Sequence, residues 1–241
     1  MSTTPEAPPA QNPEDLSKGI LIRFGQVGFV FVIQALILFV ASNRPGWMWA
    51  WVFLAICITS MCINSIFMFR MNPETIAERG RAKETRKWDK IVGGLWASAL
   101  FLAVPLVSGL DARSGWTPEL RPVYNIAGAV ALAVGLGLGG WAMVTNDYFS
   151  TAVRIQSDRG QTVCRSGPYR IVRHPGYVGF TLQSLATPII LGSLWALIPG
   201  FTGAILMVLR TSLEDRMLQA ELTGYTEYVQ AVRYRLIPGI W

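Results

Sequence analysis

Uncharged, mostly apolar stretches recur along this chain and are separated by short polar segments. A membrane-spanning helix needs about 20 such residues in a row. Segments 20–41, 47–69, 91–110 and 123–145 reach that length, the first with Arg23 near its start. The turn SNRPG parts the first two, and WMWAW after it places aromatic rings where a membrane interface begins. The last uncharged run, 175–209, is too long for one span and short for two. Within it, TPIILGSLW offers Pro188 and Gly192 as breakers, which predicts a tight helical hairpin. After Arg210 the pattern turns charged and amphipathic. Leu213, Met217, Leu218 and Leu222 recur at helical spacing, Gly224 is a stop, and a short helix is expected over 225–232. The expected fold class is all-α: a polytopic membrane helix bundle of about six membrane helices including a C-terminal helical hairpin, with cytosolic C-terminal helices packed under it.

Composition agrees. Residues are 51% hydrophobic and 15% charged, against about 25% charged in soluble domains, and the mean hydropathy is positive. The net charge of +6 does not point to nucleic acid, because the basic residues flank apolar spans. Of 21 lysines and arginines, all but Arg44, Arg113 and Arg121 fall in the N-terminal segment, the 70–90 loop, the 146–174 loop or the C-terminal region. The positive-inside rule then puts both termini and the 146–174 segment in the cytosol, at the inner membrane if the source is bacterial. The opening MSTTPEAPPAQNPEDLSKG is Pro-rich and acidic, without the basic start and cleavage site of a signal peptide, and reads as a flexible cytosolic tail. Cys57, Cys62 and Cys164 with a single histidine offer no metal-ligand set, so no metal is expected. Gly135 and Gly139 have the small-xxx-small spacing of closely packed helices, read as packing within the chain in preference to a dimer seam.

The single histidine, His174, sits in RSGPYRIVRHPGYVG at the start of the hairpin. Arg210 and Glu214 lie at the hairpin's other end, four residues apart and hence on one helix face. Both ends of a hairpin finish on the same side of a membrane, so these groups can converge. An arginine closing a long uncharged run is costly unless it reaches water or a partner, and a lipid-borne anion would be one.

The order GPYRIVRHPGYVG, an uncharged hairpin, R-x-x-x-E-D-x-x-L and G-Y-x-E-Y resembles the isoprenylcysteine carboxyl methyltransferase family, related in pattern to membrane phospholipid methyltransferases. The resemblance covers roughly 146–238. It implies an S-adenosylmethionine-dependent enzyme taking its cofactor from the cytosol and a lipid-like or hydrophobic acceptor from the membrane lipids. Carried over, the cofactor positions are Gln161, Thr162, Val163, Cys164, Tyr169, His174, Pro175, Gly176, Tyr177 and Glu214. Arg210 is the substrate-binding position, and Arg210, His174 and Glu214 form the candidate catalytic set. Gln161 stands where the family often has histidine; glutamine donates a hydrogen bond but cannot become cationic. The implied organisation is a disordered tail over 1–18, a four-helix membrane region over 19–145, and a C-terminal catalytic region over 146–241 with cofactor loop, hairpin and amphipathic tail. The implied reaction is carboxylate O-methylation of the isoprenylcysteine type. Transfer to a phospholipid or other amine, and NADPH-dependent reduction of the sterol type, are the alternatives.

Overall fold

The structure, a computed structural model, describes residues 13–71, 73–80 and 85–241. In order come α1 (Pro13–Ser42), α2 (Met48–Met71), α3 (Pro73–Gly80), α4 (Lys87–Ser98), a π-helical segment (Ala99–Ala103), α5 (Val104–Ser114), α6 (Pro122–Thr145), α7 (Pro175–Ile190), α8 (Leu197–Glu221) and α9 (Tyr225–Ala231). No strand occurs among the described residues. The π segment ends beside Pro105, which has no N–H for the helical ladder, and Val104 N–H donates to Ala99 O, five residues back. The segment joins α4 and α5 into one long helix, Lys87–Ser114.

Five helices are long and apolar enough to cross a membrane: Ser17–Ser42, Met48–Met71, Lys87–Ser114, Pro122–Thr145 and Leu197–Glu221. The sixth expected member, α7, has 16 residues. Pro188 lies in its last turn and Gly192 follows with φ +72°, so the hairpin turns where the breakers predicted. Outward faces stay apolar, as at Phe29, Val130 and Ile205, all more than half exposed. That is the pattern of helices solvated by lipid. The chain is an integral membrane helix bundle.

Two boundaries differ from expectation. α1 begins at Pro13, inside the segment expected to be a tail, while residues 1–12 of that tail lie outside the described residues. The change of texture at Arg210 is no helix boundary, because α8 runs through it to Glu221. The expected 70–90 loop contains α3; its Arg81 and Lys83 lie outside the described residues.

Glycines set the tightest contact. On α6, Gly128, Gly135 and Gly139 face α7, and a methyl group on Gly179 of α7 would lie 2.5 Å from the Gly135 carbonyl oxygen. The small-residue stretch thus packs within the chain. Far from His174, Asp111 accepts from the Thr117 backbone at 2.7 Å and Ser193 Oγ at 2.5 Å, tying α5 to the α7–α8 turn. At the His174 end, Met217, Leu218 and Leu222 bury against Tyr169, Tyr225, Tyr228 and Val232, which docks α9 and the preceding loop under the bundle.

Candidate active site

Local chemistry shapes the loop before α7. Pro168 opens a 3-10 turn, Gly167–Arg170, that buries Tyr169. The Tyr169 hydroxyl bonds Asn146 at 3.3 Å, and its carbonyl accepts from Tyr228 Oη at 2.6 Å. Burial first raises the pKa of both phenols, so they remain neutral. The chain then runs beside the C-terminal segment, Arg173 N–H donating to Tyr234 O at 2.9 Å and His174 N–H to Arg235 O at 3.0 Å. Pro175 takes the first turn of α7, where its missing N–H leaves no bond unmade. His174 precedes it without capping through its ring. Gly176 leaves room for Phe149, whose ring would be 2.6 Å from any Cβ there.

Asp215 organises this end. Its carboxylate is fully buried and accepts from Arg173 Nε at 2.8 Å and Nη2 at 2.9 Å, a two-pronged ion pair. Arg235 Nε, Tyr225 Oη and Gln219 Nε2 donate at 2.8, 3.0 and 2.9 Å. His174 Nε2 lies 3.2 Å away. Burial opposes the charge on Arg173, but Asp215 more than offsets it and raises its pKa. Burial, then the Asp215 charge, raises that of Tyr225.

Glu214, one step round the helix, points elsewhere. It accepts from the Tyr177 hydroxyl, and the Tyr177 ring stacks on His174 at 5.7 Å between centroids, 3° from parallel. Arg210, one turn back, lies with its Cζ 5.3 Å from the Tyr177 ring centroid. Its Nε donates to Asp89 at 2.7 Å and its Nη2 to Thr151 O at 2.9 Å. Asp89 also accepts from Thr85 Oγ1 at 2.7 Å and Val153 N–H at 2.9 Å.

Two cavities meet here. The first, about 90 Å³, has polar walls that include Asn146, Gln156, His174, Tyr177 and Glu214. The second, about 600 Å³, runs between the helices past Val27, Phe31, Leu136 and Phe180 and reaches Arg210. Phe149, Ser150 and Ala152 border both.

Of the positions carried over from the motif, Gln161, Tyr169, His174, Gly176, Tyr177 and Glu214 line the polar cavity, and Arg210 lines the large one. Thr162, Val163, Cys164 and Pro175 line neither. Val163 and Cys164 pack against the Tyr169 cluster, with Cys164 Sγ 3.5 Å from Thr145 O. His174 and Glu214 therefore share a cavity, although the imidazole bonds Asp215. Asp215, Asp89, Tyr225 and Arg235, which complete this network, are not among the positions carried over from the motif. The signal for Asp215 was its place beside Glu214 with a burying arginine in the same motif. For Asp89 it was the need of Arg210 for a partner, which the chain itself supplies 121 residues earlier.

The class so defined is a polytopic helical membrane protein with a polar, charge-networked cavity opening beside a large intramembrane one. The model of the isoprenylcysteine carboxyl methyltransferase (ICMT) family matches residues 129–220, from within α6 into the last turn of α8. A probable protein-S-isoprenylcysteine O-methyltransferase of Oryza sativa subsp. indica is 29% identical over 125 residues, as is its counterpart of subsp. japonica. Each match takes in 48% of this chain and 63% of the relative, so the chain spans under two thirds of the relatives' length.

Proposed function

We propose that this chain is an S-adenosylmethionine-dependent methyltransferase of the membrane, and that it O-methylates the carboxylate of a lipid-like acceptor of the isoprenylcysteine type. The observation that carries this reading is the meeting of a small polar cavity and a large apolar one at Phe149, Ser150 and Ala152. In-line transfer depends on holding donor and acceptor in contact, and this wall is where a water-soluble donor and an apolar acceptor would touch. The His174 end, which also holds Arg23, Arg79, Arg173 and Arg235, would face the cytosol. The names of the relatives support the acceptor class.

The residues of the polar cavity suit the cofactor. Glu214 offers a carboxylate for an ammonium or for ribose hydroxyls, and Tyr177 fixes that carboxylate by its hydroxyl. Gln161 accepts from Gln156 N–H at 2.7 Å through its oxygen, which leaves its amide nitrogen for a ligand. The polar cavity, about 90 Å³, is open on one side, so a nucleoside would extend through its mouth. When bound, S-adenosylmethionine would supply an electrophilic methyl group. A carboxylate acceptor is already ionised and needs no base. Arg210 would orient it through Nη1, which has no hydrogen bond among the described residues. Asp89 already matches the Arg210 charge, which favours one second reading: an amine acceptor of the phospholipid type, with Glu214 taking the proton.

The test is incubation with radiolabelled S-adenosylmethionine, a farnesylated cysteine and extracted membrane lipids. Label in the organic phase that alkali releases as methanol identifies an ester; alkali-stable label identifies an amine. S-adenosylmethionine, and not NADPH, should raise the Tm of the solubilised protein. Stabilisation by NADPH alone with no labelled lipid refutes the proposal.

A further inference from the structure

Arg79 stands apart from the chemistry above. It lies on α3, which packs along α1 because Gly19 has no side chain: a Cβ there would be 2.9 Å from the Ala77 Cβ and carbonyl oxygen. Arg23 follows Gly19 by four residues, on the same side of α1, and lines the large cavity together with Arg79. Arg79 Nη1 donates to Met143 Sδ at 2.9 Å, a weak acceptor. Its Cζ is 5.4 Å from the Phe149 ring centroid, and its Nε is buried with no hydrogen-bond partner. Arg23 donates to Gln26 at 3.5 Å. Among the described residues neither arginine has a carboxylate partner. The acidic side chain in that cavity wall, Asp89, is already taken by Arg210, Thr85 and Val153. Burial, and then the charge of Arg23, lowers the Arg79 pKa to about 9. Two cations beside an apolar cavity with no counter-charge among the described residues are unfavourable, and a bound oxyanion would remove that penalty.

We propose that Arg79 and Arg23 form an anion-binding subsite of the large cavity, seating the carboxylate or phosphate oxygens of an amphiphile whose chain lies along the apolar wall. This acidic group is distinct from the one that would receive the methyl. The inference rests on reading the large cavity as an amphiphile site and not on the transfer chemistry. Two sources share the required chemistry: a second acidic group on the acceptor, and the headgroup of an anionic bilayer lipid.

The experiment uses the full chain in phosphatidylcholine nanodiscs without cofactor. Tm is read with oleate, methyl oleate or inorganic phosphate, and again in nanodiscs containing phosphatidylglycerol. Oleate is expected to raise Tm more than its uncharged ester does. Arg79→Gln should erase that difference and Arg79→Lys restore part of it. A matching gain from phosphatidylglycerol, also erased by Arg79→Gln, identifies the bilayer headgroup as an occupant; a gain from oleate alone points to the acceptor. Equal shifts from acid and ester, an acid preference that survives Arg79→Gln, or an equal gain from phosphate alone overturns the proposal. If Arg79→Gln does not fold, the acid–ester contrast in the unaltered chain and in Arg79→Lys decides. Calorimetric binding of S-adenosylmethionine to Arg79→Gln separates the two readings. Retained cofactor binding with a lost acid preference supports the subsite, whatever becomes of the transfer reaction.

Discussion

Replacing Asp215 by alanine removes the anion on which the buried end of the bundle converges. The Arg173 side chain is 3% exposed and the Asp215 side chain 0%, so the guanidinium left behind has no water to turn to. Breaking a buried pair from one side costs about 3–5 kcal/mol. Arg235, 28% exposed, can swing into solvent and adds little. Asp215→Asn keeps an acceptor but not the charge, and should fall at the lower end of that range. Reversible unfolding in mixed micelles gives the measurement. The exposed pair Arg86–Glu221, with side chains 46% and 40% exposed, serves as the control; Glu221→Gln should change stability by under about 1 kcal/mol. Arg173→Met combined with Asp215→Leu removes both charges and should recover much of the loss. Recovery stays incomplete, because Val232 O and Arg233 O lose their Arg173 donor. A loss in Asp215→Ala no larger than that of Glu221→Gln would refute the reasoning.

Further predictions follow from the same geometry. Gly179→Ala forces a methyl group to 2.5 Å from the Gly135 carbonyl oxygen and should destabilise by about 1–3 kcal/mol; Gly137→Ala, with nothing within 4 Å, should be neutral or stabilising in the same unfolding assay. Asp89→Asn removes the charge paired with Arg210 and leaves one acceptor oxygen for either Arg210 Nε or Val153 N–H, so KM for an anionic acceptor should change while calorimetric affinity for S-adenosylmethionine holds. Tyr169, Tyr225 and Tyr228 have phenolic pKa values raised by burial in the fold. The unfolded chain therefore releases these protons first, and stability that is complete below about pH 10 is lost as pH rises above it. Tyr225→Phe should shallow that alkaline loss in a pH series of Tm values.

The sequence by itself determined the class of fold and the end of the bundle at which polar and charged residues gather. Long uncharged runs, breakers at Pro188 and Gly192, and the clustering of basic residues are one-dimensional properties, and hydrocarbon leaves a backbone few options besides helix. The proximity of His174 to Glu214 was legible for the same reason, since both ends of a hairpin return to one membrane face. Tertiary structure alone decided which acid does what. Neighbours on a helix point about 100° apart, so Glu214 faces the cavity and Tyr177 while Asp215 faces inward to Arg173 and His174. No spacing rule shows which of two adjacent carboxylates turns in; that depends on the rotation of α8 against α7 and the C-terminal segment. The match of Arg210 with Asp89, and the lack of a carboxylate partner for Arg79 among the described residues, likewise arise from how α3, α4 and α8 pack, because charges far apart in sequence find each other only when helices bring them within a few ångströms.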